Sequence, residues 1–191
     1  MRVPLNTCLT TPRCLLRYAG EDDLEHVWSA TRYPGFNDGM PWGPPGAKSE
    51  IFRWTERNLE MWSSGGEYVF TIRSRTDNRF IGRVAIRREQ GEGVWSIGFW
   101  IHPECWRQGF ATEASQKVIE FGFGRLGANK IVAAHAIWNT ASKRVMQKLG
   151  LKYVRDNSRG FKKDHEWVAE AEYEIDRDSW KYLRSRPGSP T

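Results

Sequence analysis

Two short stretches carry residue types that could do chemistry. The first, Trp106-Arg107-Gln108-Gly109-Phe110-Ala111-Thr112, sets an arginine, a glycine and an alanine at the expected start of a helix. Small residues there let the backbone come close to a ligand. The helix start adds unpaired N–H groups, the positive end of the macrodipole and the Arg107 charge at one place. That combination suits a phosphate, so the predicted ligand is anionic. The second stretch, Asn139-Thr140-Ala141-Ser142, puts an amide and a hydroxyl at i and i+3 on the first turn of a later helix. Read alone, Asn139 is an N-cap and Ser142 a solvated first-turn residue. Cys105, beside the first stretch, is read as a packing residue rather than a nucleophile. With Cys8 and Cys14 it makes an odd number of cysteines without metal-ligand spacing, so neither a disulfide framework nor a metal site is expected.

These residues need elements to hold them. Val94 to Ile101 predicts a strand that leads into the first stretch, and an amphipathic helix follows from Ala111 to about Leu126. Lys130 to Trp138 is almost continuously apolar, the pattern of a strand buried on both faces beside a parallel neighbour. Strand, helix, strand is a βαβ unit. Upstream, Cys14 to Tyr18 reads as a strand and Glu21-Asp22-Asp23 opens a helix to about Ala30. A second helix covers Lys48 to Ser63 and ends at Gly65-Gly66. Strands Tyr68 to Arg73 and Phe80 to Arg87 turn at Asp77-Asn78, with Gly82 a candidate bulge. Downstream, Asn139 caps a helix closed by Gly150, and Leu151 to Arg155 is a strand. Asp156 to Asp164 is a polar connection, Glu166 to Ile175 an alternating strand, and Ser179 to Leu183 a last short segment.

Between the first two helices, RYPGFNDGMPWGPPGA holds four prolines and four glycines and cannot be a regular element. Long irregular loops in compact domains are often functional, and Tyr33, Phe36 and Trp42 are read as one wall of a substrate pocket.

A chain of 191 residues is one domain's worth. It divides into a flexible arm over 1–12, a domain over 13–183 and a flexible tail over 184–191. No apolar run reaches the roughly 20 residues that span a bilayer, and MRVPLNTCLTTPR lacks the apolar segment of a signal peptide. A cytoplasmic protein with no membrane partner is expected. The net charge of +6 is scattered rather than clustered, which argues against a specific nucleic-acid partner and leaves an anionic cofactor or an acidic peptide. Ten tryptophans suggest aromatic-lined surfaces beyond what a core of this size requires.

The run from Trp106 to Ala114, Trp-x-x-Gly-x-Ala-Thr-Glu-Ala, resembles the acyl-CoA-binding motif of the GNAT N-acetyltransferase superfamily. A tryptophan in first place is similar to the RimJ/RimL ribosomal-protein branch. Asn139 to Leu151 resembles the family's Asn-x-x-Ser…Lys-Leu-Gly-Phe segment, and Thr10 to Arg17 its opening strand. The resemblance implies an α/β (α+β), single-domain GNAT-like fold: a mixed, strongly twisted sheet of about seven strands flanked by helices, with a splayed parallel pair holding CoA. It implies acetyl-CoA as acyl donor, no metal, and transfer to a primary amine on a protein N-terminus or a small molecule by direct attack in a ternary complex. Backbone groups of Phe99, Trp100 and Ile101 would bond the pantetheine arm. Arg107, Gln108, Gly109, Phe110, Ala111 and Thr112 would cradle the pyrophosphate, and Asn139 and Ser142 would face the thioester. The tyrosine that serves many members as general acid stands here as Met146, which leaves Ser142 as the expected acid. The acidic residue often found on the strand before Gly98 stands here as Ser96. His102, Glu104, His135, Asp164, Glu166 and a water chain remain open as the base. A second copy of the chain is a candidate partner. The competing expectation is a non-catalytic acyl-CoA-binding or ribosome-associated module.

Overall fold

The computed structural model describes residues 3–185. Eight strands form one sheet: β1 (Leu9–Thr10), β2 (Cys14–Tyr18), β3 (Glu67–Ser74), β4 (Phe80–Arg88), β5 (Val94–Ile101), β6 (Lys130–Ala136), β7 (Lys152–Lys163) and β8 (Glu166–Asp176). Five helices accompany them: α1 (Leu24–Thr31), α2 (Lys48–Ser64), α3 (Phe110–Gly124), α4 (Thr140–Lys148) and α5 (Arg177–Arg184). The strand order is β1-β2-β3-β4-β5-β6-β8-β7. Every neighbouring pair is antiparallel except β5 and β6, which run parallel on either side of α3. The sheet is thus mixed and flanked by helices, as expected, with eight strands rather than seven because two residues of the N-terminal segment add β1.

The main core joins Ile97 and Ile101 of β5, Ile131 and Ala133 of β6, Phe110 and Val118 of α3 and Met146 and Leu149 of α4. A smaller cluster packs Val27, Ile51 and Phe80 with Trp28, Trp54 and Trp100. Beneath the helices lies a buried charge. Asp23 is 0% exposed and accepts from Arg73 Nη2 at 2.7 Å and from the Thr71 hydroxyl, with Arg17 Nη2 at 3.5 Å. Arg83 is sealed nearby, and burial pushes its guanidinium down to about 10. The acidic run read as a helix start therefore gives one of its members to the interior.

The structure departs from the sequence reading at four places. Residues 3–12, read as an arm, pack on the body: Val3 is buried, and its carbonyl accepts from Trp62 Nε1 at 2.8 Å. The polar connection expected from Asp156 is strand, because β7 runs on to Lys163 and pairs with β8. It has no apolar alternation because it is the sheet's edge strand and most of its residues face solvent. The apolar strand from Lys130 ends at Ala136 instead of Trp138, and Ala134 is exposed, so it is not covered on both faces. The expected tail begins inside α5 at Arg184; its residues 186–191, like residues 1–2 of the arm, lie outside the described residues.

Candidate active site

The sheet opens in its middle. β5 and β6 pair only through Val94↔Lys130, Trp95↔Ile131 and Ser96↔Val132, although β5 continues to Ile101 and β6 to Ala136. Beyond Ser96 the two strands diverge and leave a wedge with backbone on both walls. Peptide groups alternate sides along a strand. His102 N donates to Ile81 O on β4 at 2.8 Å, which fixes the even residues of this run toward β4. Ile97, Phe99 and Ile101 therefore turn their peptide groups to the wedge. The three residues expected to bond a pantetheine arm divide accordingly: Phe99 and Ile101 face the wedge, and the backbone of Trp100 faces Arg83 of β4. The Ile101 carbonyl is already taken, accepting from Trp106 Nε1 at 2.7 Å. Trp106 thus folds the loop back onto the strand that precedes it.

At the end of the wedge the loop reaches α3. Arg107 has φ of +61° and Gly109 +82°, both left-handed, with Gln108 between them. Alternating conformations of this kind turn successive N–H groups toward one point and make an anion-binding concavity. Gly109 is the N-cap of α3, and no side chain caps the helix. Its open N–H groups suit an anion better than a capped end would.

A latch absent from the sequence reading holds this loop. Glu113, on the first turn of α3, accepts from the Thr11 hydroxyl at 2.6 Å, from Arg13 N at 2.9 Å and from Arg13 Nε at 2.6 Å. Arg13 Nη1 also donates to Gln108 O at 3.0 Å, and its guanidinium lies 4.5 Å from the Phe110 ring centroid. Burial pushes the Glu113 carboxyl up, but the Thr11 and Arg13 contacts outweigh it and hold the group below its ordinary 4.5. Nothing in sequence spacing could pair residues about a hundred positions apart.

At the far wall, Asn139 caps α4: its Oδ1 accepts from Ser142 N at 3.1 Å. Ser142 and the buried Met146, four residues apart, share one helix face, and Met146 belongs to the core. The Ser142 hydroxyl has no hydrogen-bond partner among the described residues.

The loop over 32–47 crosses between these walls. Phe36, at 5% exposure, packs 5.3 Å from Trp100 and 6.1 Å from Trp42 between ring centroids. Trp42 reaches Trp54 at 5.3 Å, and the Tyr33 hydroxyl donates to Glu104 at 2.6 Å. On the other side, Lys163 Nζ of β7 donates to Asn37 O at 2.6 Å. A side chain on Gly39 would meet Asn139 Nδ2 at 2.8 Å. The loop is a bridge over the divergent strands, with Phe36 inside it and Tyr33 and Trp42 half-buried.

The candidate bases scatter. His102 is buried between Tyr33, Phe80 and Ser29, and burial holds its pKa below the ordinary imidazole value. Glu104 is occupied by Tyr33. Asp164 and Glu166 lie at the β7–β8 turn, where Asp164 has φ of +48°. His135 lies tilted against Tyr173 at 5.4 Å between ring centroids; its Nδ1–H donates to Ala136 O at 2.8 Å, and its buried Nε2 has no partner among the described residues. Cys105 is 2% exposed, and burial raises its thiol pKa, in keeping with a packing role. Among the described residues no group of three or more His, Cys, Asp or Glu is placed to hold a metal ion, and no helix is long and apolar enough to cross a membrane.

Comparison with known proteins agrees with this geometry. Residues 13–152 match the family model described as the acetyltransferase (GNAT) domain. The uncharacterized N-acetyltransferase YnaD of Bacillus subtilis is 27% identical over 174 residues, covering 90% of this chain and 98% of that protein. Mycobacterium smegmatis RimJ, solved with a CoA disulfide, superposes with a TM-score of 0.81 at 20% identity over 97% of each chain. A spermidine N-acetyltransferase from Vibrio cholerae, solved with CoA and spermine, superposes at 0.76 with 15% identity over 88% of this chain and 98% of that one. Wedge, uncapped helix and matched family model lead to one assignment: the chain belongs to the GNAT family of acetyltransferases.

Proposed function

We propose that the protein transfers an acetyl group from acetyl-CoA to a primary amine, on a protein N-terminus or a small molecule, by direct attack within a ternary complex. The observation that carries this reading is the abrupt end of β5–β6 pairing after Ser96 and Val132, with the uncapped start of α3 at the end of the gap. Phe99 and the Ile101 N–H would bond the pantetheine arm as an added strand does. Arg107 to Thr112 would hold the pyrophosphate through N–H groups and one positive charge. Gly98 supports the fit, because a Cβ built there meets nothing within 4 Å.

When bound, acetyl-CoA supplies an activated thioester. The protein holds the two substrates in line, the larger part of such a rate enhancement. Ser142, on the face of α4 that also carries Met146, would return a proton to the leaving thiolate; Met146 cannot. Asn139 fixes the first turn on which Ser142 sits.

The acceptor class is open to direct measurement. Thiol release from acetyl-CoA would be followed with a panel holding a peptide with a free N-terminus, a polyamine and an amino-acid amide. Turnover of at least one acceptor is expected. CoA binding without turnover of any would leave a binding module, and no CoA binding would remove both readings.

A further inference from the structure

The wedge has a second side, and its walls differ. Register places Ser96 beside Val132 on one face, and steps of two carry that face to Gly98 and Trp100 on β5 and to Ala134 and Ala136 on β6. Ala136 pairs with Glu170 of β8 and Ala134 with Glu172, so both carboxylates lie on this face too. The loop over 32–47 packs Phe36 on Trp100 here, opposite the face that carries Met146 and the core of α3. The result is a trough. Its floor is Gly98, Ala134 and Ala136, one wall is the aromatic cluster of Trp100, Phe36 and Trp42, and the other wall is Glu170 and Glu172. Residues 37–39 roof it, tied to Lys163 and lying against Asn139.

The two carboxylates are not equivalent. Glu172 is engaged by Arg155 Nε at 2.7 Å and Asn157 Nδ2 at 3.0 Å. Glu170 has no hydrogen-bond or ion-pair partner among the described residues. It is packed tightly all the same: a Cβ on Gly160 would lie 2.3 Å from its Cγ and 2.6 Å from its Oε2. Asn37 in the roof likewise keeps a buried Oδ1 with no donor among the described residues.

We infer that Glu170 is the carboxylate that receives the acceptor's ammonium group and removes its proton, and that the trough selects alkyl ammonium acceptors. This rests on the acetyl-CoA reading above. Glu170 takes one proton from the ammonium. The freed nitrogen lone pair bonds to the thioester carbonyl carbon, the carbon–sulfur bond breaks, and the second proton of the attacking nitrogen passes by way of the Ser142 hydroxyl to the departing thiolate. The products are an N-acetyl amide and free thiol. The protonation behaviour of Glu170 is in accord: burial and then the neighbouring Glu172 raise it above 4.5, which moves a carboxylate toward useful basicity. Other charged groups on this face already have partners or lie apart from it: Arg155 is spent on Glu172, Lys163 is bonded to the carbonyls of Asn37 and Asp38, Lys130 pairs with Glu174, Arg87 pairs with Glu67, and Arg83 is buried beside Trp100.

The experiment compares Glu170→Gln and Glu170→Asp with the wild type, using the best acceptor of the amine panel and an analogue with a weakly basic amine such as a hydrazide. A weakly basic amine is already neutral and needs no base to begin the attack. Glu170→Gln should lower kcat/KM for the alkyl amine by about 10²-fold and move the acid limb of its pH profile up to the ionisation of the amine itself. It should leave the hydrazide within about threefold and the CoA dissociation constant unchanged, and Glu170→Asp should recover part of the loss. Equal loss with both acceptors would mean a packing role, and no loss with either would mean no role; each overturns the inference. Absence of turnover by the wild type is a different result, and it strikes the acetyltransferase reading instead.

Discussion

Replacing Glu113 by Gln tests whether the N-terminal segment is a working part of the cradle. The side chain is 17% exposed and takes three hydrogen bonds, from the Thr11 hydroxyl, the Arg13 amide and the Arg13 guanidinium. Gln keeps the shape and one acceptor but loses the charge, and its NH₂ meets a donor of Arg13. Bonds to a charged group contribute about 1.5–3 kcal/mol and neutral ones about 0.5–1.5 kcal/mol. Arg13 is half exposed, so solvent screening takes part of the difference. The expected loss is about 1–2 kcal/mol, which for a domain of this size lowers Tm by about 2–8 °C. The pH dependence has a definite sign. The Glu113 pKa is held below its unfolded value near 4.5, so its contribution is fully present above that value and is lost as pH falls through the folded value. Circular-dichroism melts of both proteins at about pH 7 and about pH 3.5 should therefore show a gap that closes in acid. A gap of the same size at both pH values would refute the charged latch and leave only shape. Because Arg13 also holds the Gln108 carbonyl, the variant should bind CoA a few-fold more weakly at neutral pH.

Four further outcomes follow from the same geometry. Gly109→Trp puts a side chain where φ is +82° and fills the concavity, so the CoA dissociation constant measured by calorimetry should rise about tenfold or more. Ser142→Ala should lower kcat by about 10²-fold with little change in CoA affinity if the hydroxyl returns the proton, whereas a loss confined to affinity would make it a binding residue. Asp23→Ala leaves Arg73 and Arg83 buried without their carboxylate and should cost about 3–5 kcal/mol in urea unfolding. Thiol labelling at about pH 8 should modify the exposed Cys8 first. Cys14, whose thiol burial pushes up to about 11, and the buried Cys105 should react only on unfolding.

The sequence by itself determined what local chemistry dictates. Gly109 and Ala111 at a helix start, an asparagine cap at 139 and the strand–helix–strand order around them were legible because each depends on neighbours within a few residues. So was the irregularity of residues 32–47, which the prolines enforce. Only the tertiary structure decided which distant groups meet. Edge strand β7 carries little apolar alternation, since most of its residues face water, and so it read as a connection. Asp23 read as part of an acidic helix start until β3 brought Arg73 and Thr71 over it. The latch of Thr11 and Arg13 on Glu113 joins chain segments that share no pattern. Glu170 was one acid in an alternating strand, unremarked until register set it across from Ala136 on the open face of the wedge. Hydrophobic periodicity records which face of an element is covered; the partner that crosses a gap is set by register and by where two strands stop pairing, and those emerge only when the whole sheet is closed.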